Sequence, residues 1–353
     1  MIMLTVRQRR NIMQQKLTEG KLLEKGRLLQ AGYSTTTVRE YDRRDIVGKK
    51  WKIKEWDYYI ITDGKKVVAL TVADNSYMSL ASASFLDFTA PEYKTNSEIK
   101  FFSFGKLKLP SCPEKGNIRY ASKKVRIDFI KTETERKLSC KFSNFWDKTD
   151  FECEFTLSDF PDEQMTIATP FNKPRAFYYN TKINCMKAEG YCVVKGKRYE
   201  FDKTDSLGTL DWGRGVWTYK NTWYWSSLQT YLDDGRTFGF NLGYGFGDTS
   251  KASENMLFLD GKSHKLDRVK FEILQKNGKD DFLSPWKFYD NEGRLQLDFY
   301  PIIDRKDVTD IGIIASRQHQ VFGKFSGTVV LNDGSTLKIT DKLGFAEKVF
   351  NKW

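Results

Sequence analysis

Residues 238–250, FGFNLGYGFGDTS, alternate large and small side chains. Phe238, Phe240, Leu242, Tyr244 and Phe246 fall on one side of an extended chain, and Gly239, Asn241, Gly243, Gly245 and Gly247 on the other. That period of two predicts a strand with one face in a core. Glycine inside a strand loses chain entropy and packs nothing, so the small face predicts a bend or room kept for another group. Residues 67–73 repeat the theme more weakly, with Ala69, Thr71 and Ala73 opposite Val68, Leu70 and Val72. From about Trp51 onward such runs are punctuated by the turn pairs Asp63-Gly64, Asn75-Ser76, Lys115-Gly116, Lys195-Gly196, Asp234-Gly235, Asp260-Gly261, Asn277-Gly278, Glu292-Gly293 and Asp333-Gly334. Evenly spaced turns between aromatic and β-branched runs predict an all-β chain of antiparallel barrels or sandwiches. Helical periodicity is confined to TVRQRRNIMQQKL, residues 5–17, which predicts a short helical arm.

An internal repeat divides the β region. EGYCVVKGKRYEFDKTDSLGTLDWGRG, from Glu189, aligns with SGTVVLNDGSTLKITDKLGFAEKVFNKW, from Ser326: Gly190, Gly196 and Gly208 match Gly327, Gly334 and Gly344, and Asp211 matches Glu347. EWDYYIITDGKKVVALTV, from Glu55, resembles NTWYWSSLQTYLDDGRTFGFNLGYGFG, from Asn221. The repeat predicts a tandem duplication, with a basic arm over residues 1–48 and β domains over 49–210 and 211–353. No Pro/Gly/Ser linker separates the copies, so close packing of the two is expected.

Candidate chemistry is densest at the junction, TLDWGRGVWTYKNTWYWSS. Asp211, Trp212, Arg214, Trp217, Tyr219, Asn221, Trp223 and Trp225 crowd into it, with Asn241, Tyr244 and Asp248 on the glycine-faced strand and its turn. In NTWYWSS, Asn221, Trp223, Trp225 and Ser227 share one face, which suits an apolar pocket with a few fixed polar groups. Asp211 has two readings. It forms an ion pair with Arg214, or it lies against aromatic rings, keeps its proton through desolvation and acts as a general acid, with Arg214 and Asn241 as orienting groups.

Composition narrows the class. The chain has 353 residues, 15% of them aromatic with nine Trp, and 29% charged, without a membrane-length apolar run or a secretory leader pattern; a cytoplasmic protein is expected. Five cysteines, Cys112, Cys140, Cys153, Cys185 and Cys192, include no CxxC pair and read as reduced, mostly buried thiols. Two histidines, His264 and His319, disfavour a histidine-rich metal centre, and Asp248, Glu254 and Asp260 do not have calcium-loop spacing. No phosphate-cradling loop or nucleophile elbow is present, so no metal and no cofactor are expected. Of the net charge of +12, residues 1–54 carry +9, from 14 Lys and Arg against 5 Asp and Glu. That asymmetry argues against a nucleic-acid surface on the β domains and makes the arm a candidate for peripheral contact with an anionic membrane or acidic partner.

The stretches GRLLQAGYST, ATPFNKPRAFYYNTKINCMKAEG, LDWGRGVWTYKNTWYWSS and FGFNLGYGFGDTSKASENMLFLDGK resemble the family catalogued as domain of unknown function 2804 along nearly the whole chain. More distantly, FYYNTKINCMKAEGYCVV followed by the Gly-x-x-Asp-Trp-Gly step is similar to two-domain lipocalin-like proteins, among them carotenoid hydratases and AttH-type proteins. That resemblance implies paired lipocalin-like barrels and places Asp211 at the acidic position that protonates an alkene in the hydratases. The expected function is binding of an apolar small molecule (lipid, isoprenoid or polyketide-like) at the junction, with acid-catalysed isomerase, hydratase or cyclase chemistry as one form of it. A docking module using the basic arm, and a carbohydrate-binding or carbohydrate-active protein, are the alternatives.

Overall fold

In this computed structural model, which describes residues 14–311 and 314–352, the alternating runs become antiparallel strands. The second residue of every predicted turn pair stands at positive φ, between 67° at Ser76 and 86° at Gly116 and Gly334. The first copy contributes β1 (Ile53–Thr62), β2 (Lys66–Asp74), β3 (Met78–Asp87), β4 (Glu92–Phe101), β5 (Val125–Lys131), β6 (Arg136–Trp146), β7 (Thr149–Ser158), β8 (Phe177–Val194) and β9 (Leu207–Val216). They hydrogen-bond in the order β5-β6-β7-β8-β9-β1-β2-β3-β4, within a sheet of 13 strands that also takes in Gly32–Ser34, Ile118–Ala121, Met165–Pro170 and Lys197–Phe201.

The second copy contributes β10 (Lys220–Tyr231), β11 (Thr237–Tyr244), β12 (Met256–Leu259), β13 (Lys262–Lys265), β14 (Val269–Glu272), β15 (Trp286–Asp290), β16 (Leu295–Ile311), β17 (Ile314–Val330) and β18 (Thr336–Lys352). Their order is β14-β15-β16-β17-β18-β10-β11-β12-β13, the same path with nine added to each label. In each sheet the last strand returns to pair with the first, the topology of a curled half-barrel. Gly190 and Gly327, matched in the sequence, both have φ of 146°, and a Cβ would lie 2.0 Å from Glu154 O in one copy and 2.2 Å from Gln296 O in the other.

Each sheet curls around a filled core. Tyr59, Phe129, Phe142, Phe151 and Trp212 occupy the first, and Phe240, Trp286, Phe288, Phe299 and Phe325 the second. The faces turned away from these cores meet each other through Tyr58, Ile60, Trp225, Phe322 and Phe345. Residues 207–216 form one strand paired to both β8 and β1, so the first sheet runs through Val216 and the second begins at Lys220, not at Asp211.

Of the helix expected over 5–17, residues 5–13 lie outside the described residues. Residues 14–17 are not helical, and Lys16 bridges to Tyr33. Residues 14–48 do not form a separate arm: Leu17, Leu22, Leu23, Tyr41 and Ile46 are buried in the first core, where apolar burial outweighs the local charge. All five cysteines are free, four of them buried.

Candidate functional site

A cavity of about 690 Å³ opens between the facing outer surfaces of the two sheets. Its aromatic end is built from Trp56, Tyr178, Trp217, Trp223 and Phe246, with Trp217 and Phe246 centroids 4.7 Å apart and Trp56 stacked on Tyr178 at 6.2 Å. The rest of the wall is polar, with Ser82, Ser84, Thr95 and Ser97 from β3 and β4 and Arg305, Gln318 and Gln320 from β16 and β17. The carboxylates Asp211, Glu254, Asp307 and Glu347 and the lysines Lys94, Lys182 and Lys306 line it as well. The pocket therefore combines a greasy end with many polar groups, more of them than an apolar slot with a few anchors would have.

The duplication arranges these groups twice. In the first copy Trp56 and Tyr58 on β1, Lys182 on β8 and Asp211 on β9 come together, with Asp211 opposite Tyr58 and Lys182 in register. In the second copy Trp223 and Trp225 on β10, Gln320 on β17 and Glu347 on β18 take the same places, with Glu347 opposite Trp225 and Gln320. The indole N–H of Trp56 donates to Asp211 Oδ2 at 3.1 Å, and that of Trp223 to Glu347 Oε1 at 2.9 Å. Lys182 Nζ donates to Asp211 Oδ1 at 2.8 Å, whereas Gln320 Nε2 donates to Glu347 Oε2 at 3.0 Å. A cation in one copy is a neutral amide in the other.

The two acids consequently differ. Asp211 accepts from Lys182, from Trp56 and from Asn180 Nδ2 at 2.6 Å. All three partners donate, and one of them, Lys182, is a cation within hydrogen-bond distance. Of the two readings of Asp211, the geometry gives the ion pair, with Lys182 in the place expected for Arg214. Among the described residues Glu347 is buried without a lysine or arginine in contact, and desolvation raises its pKa to about 7, against smaller lowering effects of the Trp223 bond, Arg305, Lys182 and the Gln320 bond. Glu254, 4.0 Å from Lys182 Nζ, is also pushed upward by burial. Lys182 Nζ sits 4.1 Å over the Trp225 ring, so it reaches from the first sheet onto the second.

The glycine-faced strand now has its explanation. Gly243 lies opposite Trp225 in the β10–β11 ladder, and a Cβ there would stand 2.4 Å from Glu254 Oε1. Gly213, two residues beyond Asp211, does the same for Trp56, whose indole would be 2.0 Å from an added Cβ. Gly213→Ala should therefore push Trp56 off Asp211 and cost about 1–3 kcal/mol of stability, read from urea unfolding. An unchanged midpoint would show that the indole relocates freely.

Of the residues expected at the site, Asp211, Trp217, Trp223 and Trp225 line the cavity. Asn241 stands behind the wall, accepting from Trp225 Nε1 at 2.7 Å and donating to Glu254 O at 2.7 Å. Trp212 and Arg214 point into the first core, because residues one and three positions from Asp211 lie on the opposite strand face. Arg214 pairs with Asp57 at 2.9 Å, not with Asp211, and lies 4.3 Å over the Trp212 ring. Tyr244 stacks on Tyr224 at 4.5 Å on the second core's side, and Asn221 bonds back to Thr218 at the strand start. Tyr219 and Asp248 are exposed, the latter accepting from Ser250 N at 3.0 Å in its turn. Neither histidine lines the cavity: His319 pairs with Asp304, and His264 accepts from Asn332 N.

Among the described residues no His, Cys, Asp and Glu group is placed to hold a metal ion, and no helix is long and apolar enough to cross a membrane. The sequence matches none of the curated proteins. Among solved structures it is similar to an AttH-like protein from Nitrosomonas europaea, with 11% identity over 89% of this chain and 98% of that one and a TM-score of 0.53. It also matches kievitone hydratase from Nectria haematococca, at 12% identity over 85% and 88% of the two chains and a TM-score of 0.44. The first likeness carries the fold, two tandem lipocalin-like half-barrels. The chain belongs to the family described as Domain of unknown function (DUF2804), whose model matches residues 13–353.

Proposed function

We propose that the protein binds an apolar, unsaturated small molecule between its two sheets and transfers a proton to it from Glu347, in cofactor-independent isomerase, hydratase or cyclase chemistry. The observation that supports this is the divergence of the duplicated acid pair, in which one copy is neutralised by Lys182 and the other is left to desolvation. Two carboxyl groups whose surroundings drive their protonation apart are the usual basis of an acid and base division of labour. Glu347, raised to about 7, is protonated in a large share of molecules near neutral pH and still gives its proton up readily. Positive charge developing on the substrate would be stabilised by the Asp211 carboxylate and by the faces of Trp217 and Phe246.

The first test is native mass spectrometry of protein purified gently from its host, followed by extraction of any retained compound. A stoichiometric apolar molecule lost on Trp223→Ala supplies the substrate class, and Glu347→Gln should then reduce turnover about 100-fold or more while leaving binding intact. A protein that stays empty after exposure to host lipid extract, or an active Glu347→Gln variant, overturns the assignment.

A further inference from the structure

We propose that residues 99–108, IKFFSFGKLK, dock the protein on an anionic lipid surface, an inference independent of the chemistry assigned to the cavity. Phe101, Phe102 and Phe104 are 71%, 65% and 50% exposed, and Ile99 is 48% exposed. Isolated exposed apolar residues are ordinary, but a contiguous cluster of rings is not. Phe101 and Phe102 centroids lie 6.3 Å apart, and Phe102 stacks on Phe104 at 6.2 Å.

The rings are held out by a fixed backbone. Phe102 and Phe104 stand at φ of 62° and 46°, a region that bulky residues avoid. Between them Ser103 turns inward, and its hydroxyl donates to the fully buried Asp74 Oδ1 at 2.7 Å. Phe102 N–H donates to Tyr77 O at 2.7 Å and Phe104 N–H to Ser76 O at 2.8 Å. With the backbone pinned on both sides of Ser103, neither ring can fold back onto the sheet. The arrangement costs conformational energy and leaves apolar area in water, so a surface that removes the rings from water accounts for it.

Charge selects the partner. Residues 99–110 contain Lys100, Lys106 and Lys108, all exposed, and no Asp or Glu. Rings flanked by lysines at their base match a bilayer interface, with apolar side chains in the acyl boundary and ammonium groups among anionic headgroups. The placement also suits an apolar ligand. Phe101 ends β4, and Tyr93, Lys94, Thr95 and Ser97 of the same strand line the cavity, so the docking edge and the cavity wall are continuous.

Flotation of the full chain with phosphatidylcholine vesicles, with and without phosphatidylserine, tests this. Binding is expected to the phosphatidylserine vesicles and to fall with added salt. Phe102→Ser with Phe104→Ser, and separately Lys100→Glu with Lys106→Glu, should each weaken it about tenfold or more without changing the melting curve. No binding, or binding that both double variants retain, overturns the proposal. So does a dimer in sedimentation velocity that the phenylalanine variant dissolves, which would make the patch a protein interface.

Discussion

Lys182→Gln, which writes the second copy's residue into the first, is expected to destabilise the protein by about 3–5 kcal/mol at neutral pH. Lys182 and Asp211 are both buried, and their 2.8 Å contact is the only one through which a lysine or arginine touches that carboxylate among the described residues. Removing the ammonium leaves a negative charge in the cavity wall with only Trp56 and Asn180 to solvate it. Breaking one side of a buried pair costs far more than the pair contributes, since the desolvation of both partners has already been incurred. Lys182→Gln combined with Asp211→Asn should recover more than half of the loss. Urea unfolding of the two single variants and the double variant measures this coupling; an additive cycle would show that Lys182 is held by Glu254 and the Trp225 ring and not by Asp211.

The copies could be compared in this way because much of the arrangement was legible in the sequence. Period-two alternation gave the strands, and the turn pairs gave their ends. The match of Asp211 to Glu347 anticipated two acids at the same place in two sheets. Asp211 and Arg214 are three apart, and Tyr244 shares the side of Phe238, Phe240 and Leu242, so the alternation already put Arg214 opposite Asp211 and Tyr244 in the core. What the sequence could not supply was register between distant strands. Lys182 reads as an ordinary charge within FYYNTKINCMKAEG, and only the β8–β9 ladder sets it beside Asp211. Glu254 lies in a connection with no periodicity. Arg305 becomes visible only when β16 pairs with β17 and its guanidinium meets Gln320 and Ser84. The segment after Gln14 differs from its expected form for a related reason: its lysines and arginines dominate the composition, while Leu17, Leu22, Leu23 and Tyr41 fix where it lies.

The converse exchange, Gln320→Lys, should turn the second site into a copy of the first and extinguish proton transfer without removing any carboxyl group. Burial opposes the charge of Glu347 and raises its pKa from the ordinary 4.5 to about 7, and among the described residues no lysine or arginine touches it. An ammonium in hydrogen-bond reach would favour the carboxylate and lower the pKa from about 7. The effect on stability follows. In the native protein Glu347 binds more protons than the unfolded chain between pH 4.5 and 7, so its contribution falls as pH rises through that window, by up to about 3 kcal/mol. With the lysine in place, that fall shrinks as the folded pKa moves back toward the unfolded value. Unfolding free energies of the wild type and the variant across this range, taken as a difference, cancel the other titrating groups, among them Lys54 and Lys265, whose amines burial lowers to about 7. A difference that grows in favour of the variant with rising pH supports desolvation as the source of Glu347's proton. A flat difference would mean that Glu347 is already ionised in the folded protein, and the acid would then have to be sought at Glu254.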